Sequence, residues 1–192
     1  MQKKFINLSV IVFIVGGFIL LLGKQDWFPE FYNPDFMGIM SFISALLIFL
    51  PRIFFKKNNE SIINFQFAIS LGLALNGFGA IGLFKLYEYG IPYDKIVHFF
   101  VSFVLIIGLS NFLMNDGKSY FKKPLVVSFL AIIFLGFFWE IMEILFDAIF
   151  ETQTFGVYGQ DVIRDTFFDI VNNFLGAISG MLILNFKRKF NK

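Results

Sequence analysis

The chain has 192 residues, of which 57% are hydrophobic and only 16% are charged, and its net charge is +2. About a quarter of the residues of a soluble domain are charged, so this composition excludes an ordinary soluble protein and indicates an all-α integral membrane protein. Because the sequence has no cysteine, disulfides and thiolate metal sites are excluded. No basic soluble patch indicates nucleic-acid binding.

A helix that spans a membrane needs about 20 mostly apolar residues, and six segments of the sequence meet that condition. We predict a single membrane domain over residues 1–192. It is a bundle of six transmembrane helices near residues 5–23, 36–55, 63–86, 94–114, 124–150 and 162–186. The first segment follows a basic start but has no small-residue cleavage site, so we interpret it as an uncleaved signal-anchor.

Lysine and arginine are divided unevenly between the two sides of this predicted bundle. The loops and termini on one side carry 12 of these residues, and the other side carries 4. Basic residues are enriched in cytoplasmic loops, so the distribution predicts that both termini are cytoplasmic. Most of the acidic residues lie on the opposite, outer side, together with a belt of aromatic residues.

The fifth predicted helix carries three acids inside an otherwise apolar run. Glu140, Glu143 and Asp147 are spaced i, i+3 and i+7, so they lie on one face of the helix. A charged side chain at the centre of a spanning helix costs roughly 2.5–3.5 kcal/mol on insertion scales. We therefore expect other polar groups or water to meet this face, although Asp147 is equally consistent with exposure at the membrane surface.

The fourth and sixth predicted helices bring further polar groups to the same side. Asp94 and His98 lie one turn apart at the start of the fourth helix, and Asp165, Asp169 and Asn173 lie in the first half of the sixth. With a rise of about 1.5 Å per residue, these groups reach a depth similar to that of the acids on the fifth helix. The pattern predicts an outward-opening polar site.

Some of these residues also have structural interpretations. Asp94 follows a proline at a helix start, so it is also a candidate N-cap. Arg164 is also a candidate interfacial anchor or salt-bridge partner. Gly176 and Gly180 form a small-xxx-small pair, which predicts close packing of the sixth helix against a neighbour.

The predicted site has more acids than bases. Lys95, Arg164 and a protonated His98 are the available cations, so either protons or a bound cation must compensate the remaining carboxylates. One histidine with several carboxylates and an amide suits Mg²⁺, Mn²⁺ or Ca²⁺. A proton relay or a cation path uses the same residue types.

Three motifs together resemble a known family. They are D-K-x-x-H at 94–98, W-E-x-x-E at 139–143 and G-Q-D-V-x-x-D-T-x-x-D at 159–169. These motifs and the topology resemble bacterial YjdF-like inner-membrane proteins over nearly the whole chain. That resemblance implies a multi-pass protein of the bacterial inner membrane, with no biochemical activity to carry over.

The last three helices are more distantly similar to the VanZ-like domain. The matching positions are Asp94, Lys95, His98, Glu140, Arg164, Asp169, Asn173, Gly176 and Gly180. Glu143 replaces a glutamine of that pattern, so the present site is more acidic. VanZ-like proteins are associated with altered susceptibility to glycopeptide antibiotics, so the resemblance implies a role in the cell envelope.

We therefore expect an envelope-associated protein that binds a polar headgroup or a lipid-linked precursor, with a divalent cation and membrane lipids as partners. The expected metal ligands are Glu140, Asp165 and Asp169. The expected catalytic residues are Glu143, as a general base, and His98, which is also a candidate ligand. The expected substrate-binding residues are Asp94, Arg164 and Asn173.

Two alternatives accompany this expectation. In a proton- or cation-coupled transporter or relay, Glu140, Glu143 and Asp169 would titrate in turn and no bond would be broken. In a non-catalytic membrane scaffold, the polar cluster would only hold three helices together. The sequence indicates neither an oligomeric state nor whether the protein is an enzyme.

Overall fold

A computed structural model describes residues 1–28, 33–55, 60–115, 123–152 and 161–190. This part of the chain is helical and contains no strand. Its six long helices are α1 (Gln2–Leu22), α2 (Pro34–Phe55), α3 (Glu60–Ala80), α4 (Tyr93–Asn115), α5 (Pro124–Phe150) and α6 (Val162–Phe190). All six are long and apolar enough to cross a membrane, which confirms the predicted set of apolar helices.

Helix α3 ends at Ala80 rather than near Leu86, where the sequence placed its end. Residues 83–89 form a separate short 3₁₀ helix. Gly82 has a φ of +133°, a conformation that glycine adopts without the steric penalty of other residues. Apolar composition continues through this break, so hydropathy alone does not reveal it.

Helices α1 to α3 pack around an apolar core. Ile6 and Val10 of α1 meet Ala45 and Ile48 of α2, with further aromatic and aliphatic side chains from α3 around them. Gln66 is a buried polar residue in this region, and its amide donates a hydrogen bond of 2.9 Å to the Ile48 carbonyl oxygen. These helices are therefore joined mainly by shape and van der Waals contact.

Helix α4 packs against α3, α5 and α6, and its contact with α6 depends on glycine. A Cβ atom on Gly176 would collide with the carbonyl oxygen of Phe99, and one on Gly180 would collide with the Ile106 side chain. The two backbones thus approach as the small-xxx-small pair predicts. This approach brings the first turns of α4 and α6 side by side.

We call the end of the bundle where α4 and α6 begin and α5 ends the polar end. The opposite part of these three helices contains an apolar core of Ile106, Ile132 and Ala177. At the polar end, the Asn33 amide donates to the Phe150 carbonyl oxygen at 3.1 Å, which joins the start of α2 to the end of α5. The predicted cytoplasmic position of the termini stays a prediction.

Candidate functional site

The ammonium group of Lys95 lies among three aspartates of α4 and α6. Its Nζ atom is 2.6 Å from Asp165 Oδ1, 2.7 Å from each carboxylate oxygen of Asp169 and 3.1 Å from Asp94 Oδ2. The Asp169 side chain is only 4% exposed, whereas that of Lys95 is 18% exposed. One lysine thus compensates the most buried aspartate and bridges two helices.

His98 lies beside this ion-pair network, and its two ring nitrogens face different partners. Nε2 is 3.5 Å from Asp94 Oδ1 and 3.5 Å from Asp169 Oδ1. Nδ1 is 3.1 Å from the side-chain nitrogen of Asn173 and 3.9 Å from Glu140 Oε1. The imidazole therefore connects the aspartates of α4 and α6 to the glutamate of α5.

Asn173 fixes the position of the imidazole. Its Oδ1 accepts a hydrogen bond of 2.7 Å from the Ser102 hydroxyl, while its Nδ2 faces His98. Gly136 of α5 makes room for this amide, because a Cβ atom there would lie 2.8 Å from Asn173 Nδ2. Side chains of α4 and α6 and the bare backbone of α5 therefore meet at one point.

Glu140 is the α5 residue nearest to this network. It is 4% exposed, and its buried Oε1 atom has no hydrogen-bond partner among the described residues. A buried polar atom left without a partner costs about 1–3 kcal/mol, and more when it is charged. This atom is therefore a position where a proton, a water molecule or a cation would be stabilising.

We call this group of side chains the polar cluster. It consists of Asp94, Lys95, His98, Glu140, Asp165, Asp169 and Asn173. Four carboxyl groups face one lysine and one histidine. If all four were ionised, even a protonated histidine would leave two negative charges uncompensated by the cluster's own side chains. Buried charges are normally paired or bound to a metal, so a further positive charge would stabilise the cluster in that state.

The remaining acids of α5 have other hydrogen-bond partners. Glu143 accepts a hydrogen bond of 2.6 Å from the indole N–H of Trp139, one turn earlier on the same helix. Asp147 accepts one of 2.6 Å from the Thr152 hydroxyl. The predicted role of Glu143 as a general base stays a prediction.

Arg164 lies outside the polar cluster. The residue is exposed, and its guanidinium carbon is 5.8 Å from the centroid of the Phe168 ring. Its backbone N–H donates to Asp161 Oδ1 at 3.2 Å, which makes Asp161 a cap for the start of α6. Of the residues predicted for the site, the structure thus brings most together and leaves this arginine on the surface.

Two residues make more contacts in the site than we predicted from the sequence. Lys95 was only one of several available cations, yet it contacts all three aspartates. Ser102 was not predicted at all, although it follows His98 by four residues, which is the spacing of neighbours on one helix face. Ser102 could have been found by extending the polar face of α4 by one turn beyond His98. Lys95 lies within that stretch, one turn before His98, and only its pairing was missed.

The geometry also brings together one group of side chains that could hold a metal ion. Asp94, His98 and Asp169 each offer a ligand atom, and these atoms lie within 4.8 Å of one another. Two ligands bound at right angles to one Mg²⁺ or Ca²⁺ ion are about 3.0–3.5 Å apart, which matches the 3.5 Å distances from His98 Nε2. Asp169 belongs both to this group and to the predicted ligand set, whereas the predicted ligands Glu140 and Asp165 lie outside the group. Metal binding by any of these residues stays a prediction.

A family model described as "Predicted membrane protein (DUF2238)" matches residues 4–190. The match runs from the first helix through the last, so it includes the polar cluster. No curated protein and no solved structure matches the chain.

Proposed function

The chain belongs to the DUF2238 family of predicted membrane proteins, and from its polar cluster we propose that it binds a divalent cation together with a polar lipid headgroup. The observation that supports this most is the convergence of Asp94, His98 and Asp169 beside the unpartnered Oε1 atom of Glu140. Carboxylates and a histidine are costly in hydrocarbon unless they are paired, hydrated or bound to a ligand, and one lysine and one histidine are too few to pair all four carboxylates of the cluster.

In this proposal the cation is held by Asp94, Asp169 and Nε2 of His98. Hard divalent ions take mostly oxygen ligands, and a histidine nitrogen in place of one oxygen also suits Mn²⁺. Lys95 must then release Asp169, because its ammonium now contacts both oxygens of that carboxylate. Its flexible four-carbon stem allows the ammonium to stay with Asp165 or to meet an anionic headgroup.

Asn173 and Ser102 can adjust to the position of the ring proton that metal binding requires on His98. Binding through Nε2 needs the ring proton on Nδ1. After its amide rotates by a half turn, Asn173 presents Oδ1 to that proton and Nδ2 to the Ser102 hydroxyl. Such a partner on the other ring nitrogen orients a metal-binding histidine. Asn173 thereby acts on the imidazole, while its predicted contact with substrate stays a prediction.

The surroundings of the cluster suggest where the headgroup comes from. The excess of basic residues at the opposite side predicts cytoplasmic termini, which would place the polar end at the outer face of a bacterial inner membrane. The resemblance to YjdF-like and VanZ-like proteins also favours the cell envelope. Glu143 is the residue we expect to exchange protons with a bound substrate, whether a headgroup or a lipid-linked envelope precursor. With Nε2 on the cation and Nδ1 on Asn173, His98 would hold the metal in place of its predicted catalytic role.

The proposal can be tested by measuring metal content and thermal stability of the detergent-purified protein. Mg²⁺, Mn²⁺ and Ca²⁺ would each be added to the wild type and to the Asp169→Asn and Glu140→Gln variants. A ligand present at a hundred times its Kd stabilises a protein by about 2.7 kcal/mol. We expect that stabilisation in the wild type, its loss in Asp169→Asn and its reduction in Glu140→Gln.

The matched control is Glu88→Gln, which removes the charge of an exposed acid just before α4. It should leave metal uptake unchanged. If the wild type takes up no metal, the cation proposal fails. A relay would then require Asp169→Asn to abolish ion or proton movement in vesicles, whereas a scaffold would require that it change stability alone.

A further inference from the structure

An apolar groove of about 320 Å³ runs between α5 and α6. Ile133, Gly136 and Phe137 line it from α5. The lining residues of α6 are Ile170, Val171, Asn173, Phe174 and Leu175. Both helices lie against α4. Because Gly136 has no side chain, α5 does not project into the groove at this point. Except for Asn173, the lining residues are apolar.

The groove opens away from the bundle. Phe137, Phe174 and Leu175, which line it, are 45–48% exposed. Because both helices are long and apolar enough to span a membrane, the medium outside these side chains is lipid hydrocarbon. The ordinary occupant of such a groove is therefore an acyl chain rather than a soluble molecule.

The groove adjoins the polar cluster at Asn173. Asn173 lines the groove and also faces Nδ1 of His98 at 3.1 Å. It lies one turn further from the polar end than Asp169, which is about 6 Å along α6. A lipid with its headgroup at the cluster would direct its chains along this path toward the middle of the membrane.

We propose that the groove binds one acyl chain of a phospholipid whose headgroup lies at the polar cluster. The headgroup part of this inference rests on the proposed function, whereas the chain-binding part rests on the groove alone. The ligand class is thus a diacyl phospholipid entering sideways from the bilayer. Phosphatidylethanolamine suits a cluster that carries both an ammonium and several carboxylates, since its headgroup also carries both signs of charge.

The test is retention of dioleoyl phosphatidylethanolamine by the delipidated full-length protein, counted by native mass spectrometry. Leu175→Trp places a large side chain at the groove, and Leu182→Trp places the same side chain two turns further along α6. Leu182 is 63% exposed and is not among the residues that line the groove. We expect the wild type and Leu182→Trp to bind one lipid with equal affinity.

Leu175→Trp should weaken binding about tenfold, which corresponds to about 1.4 kcal/mol. Equal lipid binding by the two tryptophan variants would overturn the inference, as would no binding by the wild type. A second measurement needs no variant: dihexanoyl phosphatidylethanolamine, with the same headgroup and short chains, should bind the wild type at least about tenfold more weakly. Equal affinity for the two lipids would show that the groove contributes nothing.

The two proposals fail separately. Asp169→Asn removes a metal ligand and leaves the groove intact, while Leu175→Trp changes the groove and leaves the ligands intact. No metal uptake by the wild type, together with normal chain-length dependence, would retain the groove and overturn the cation site. Normal metal uptake with no chain-length dependence would retain the cation site and overturn the groove.

Discussion

Helices α1–α3 are joined by an apolar core, whereas α4–α6 are joined by an apolar core at one end and by ionisable and amide side chains at the other. In the first group, Ile48 is fully buried among hydrophobic neighbours. In the second, Asp169 is 3% exposed and is held by a lysine from another helix. Both groups of helices are closely packed, so close packing by itself does not explain why α4–α6 contain buried ionisable side chains. The proposed function accordingly places the binding site in the second group and gives the first a supporting role.

The largest loss of stability should come from adding a side chain where α4 and α6 are in close contact. In Gly176→Ala, the new methyl group meets the backbone of Phe99, which cannot move as a flexible side chain would. We expect a loss of about 3 kcal/mol in unfolding free energy, at the upper end for overpacking, together with loss of metal uptake. Denaturant unfolding in detergent would measure it.

Gly16→Ala is the matched control in α1. A Cβ atom there has nothing within 4 Å, and replacing a helical glycine by alanine is favourable by roughly 0.5–1 kcal/mol. The two substitutions should therefore have opposite signs. Equal effects would contradict the view that the two groups of helices depend on different contacts.

The next largest effect should come from removing the cation that the cluster supplies itself. Lys95→Met leaves Asp165 and Asp169 without their ammonium partner. Breaking a buried pair costs about 3–5 kcal/mol. Because Lys95 is partly exposed, we expect about 2.5 kcal/mol, discounted for solvent screening.

This loss should be largely recovered in the double variant Lys95→Met with Asp169→Asn, because the buried charge is then gone as well. Lys24→Met, at an exposed position, should stay within about 0.5 kcal/mol of the wild type. If added Mg²⁺ restores Lys95→Met to wild-type stability, the divalent ion takes the place of the ammonium. If the single variant is as stable as the wild type, the aspartates are not held by this lysine.

A smaller effect is expected in the apolar group. Ile48→Ala creates a cavity, and large-to-small changes of this kind cost about 2–5 kcal/mol in soluble cores. In a bilayer the separated helices still keep the side chain in hydrocarbon, so the transfer contribution is missing and we expect about 2 kcal/mol. Metal uptake should be unchanged. Loss of metal uptake in this variant would show that the two groups are not separable.

The sequence predicted the six spanning helices because long apolar runs are a one-dimensional signal. The convergence of Asp94, His98, Glu140 and Asp169 was also predictable, since their depth follows from their distance to a helix end. Which side chains pair across helices was not, because pairing depends on how each helix is rotated. The exposed position of Arg164 shows this limit: one position before Asp165 in sequence, it lies on a different face of α6.

The smallest predicted effect concerns the hydrogen bond that orients the imidazole. Ser102→Ala removes the donor to Asn173 Oδ1. Hydrogen bonds between membrane helices contribute about 0.6 kcal/mol on average, so stability should fall by about that amount. Ser44→Ala is the control, because the Ser44 hydroxyl donates within its own helix to the Met40 carbonyl at 2.8 Å.

For both variants, we would measure the unfolding free energy and, in a separate experiment, titrate the folded protein with Mn²⁺. In the proposed metal-bound arrangement, the Ser102 hydroxyl accepts a hydrogen bond from Asn173 Nδ2. If Asn173 orients His98, Ser102→Ala therefore weakens Mn²⁺ binding, but by less than the tenfold or more that follows loss of a direct partner of the ligand, while Ser44→Ala leaves it unchanged. If both variants bind Mn²⁺ as the wild type does, the hydrogen bond between Ser102 and Asn173 only joins α4 to α6. The pair then has no part in metal binding, although the polar end still differs from α1–α3 in composition.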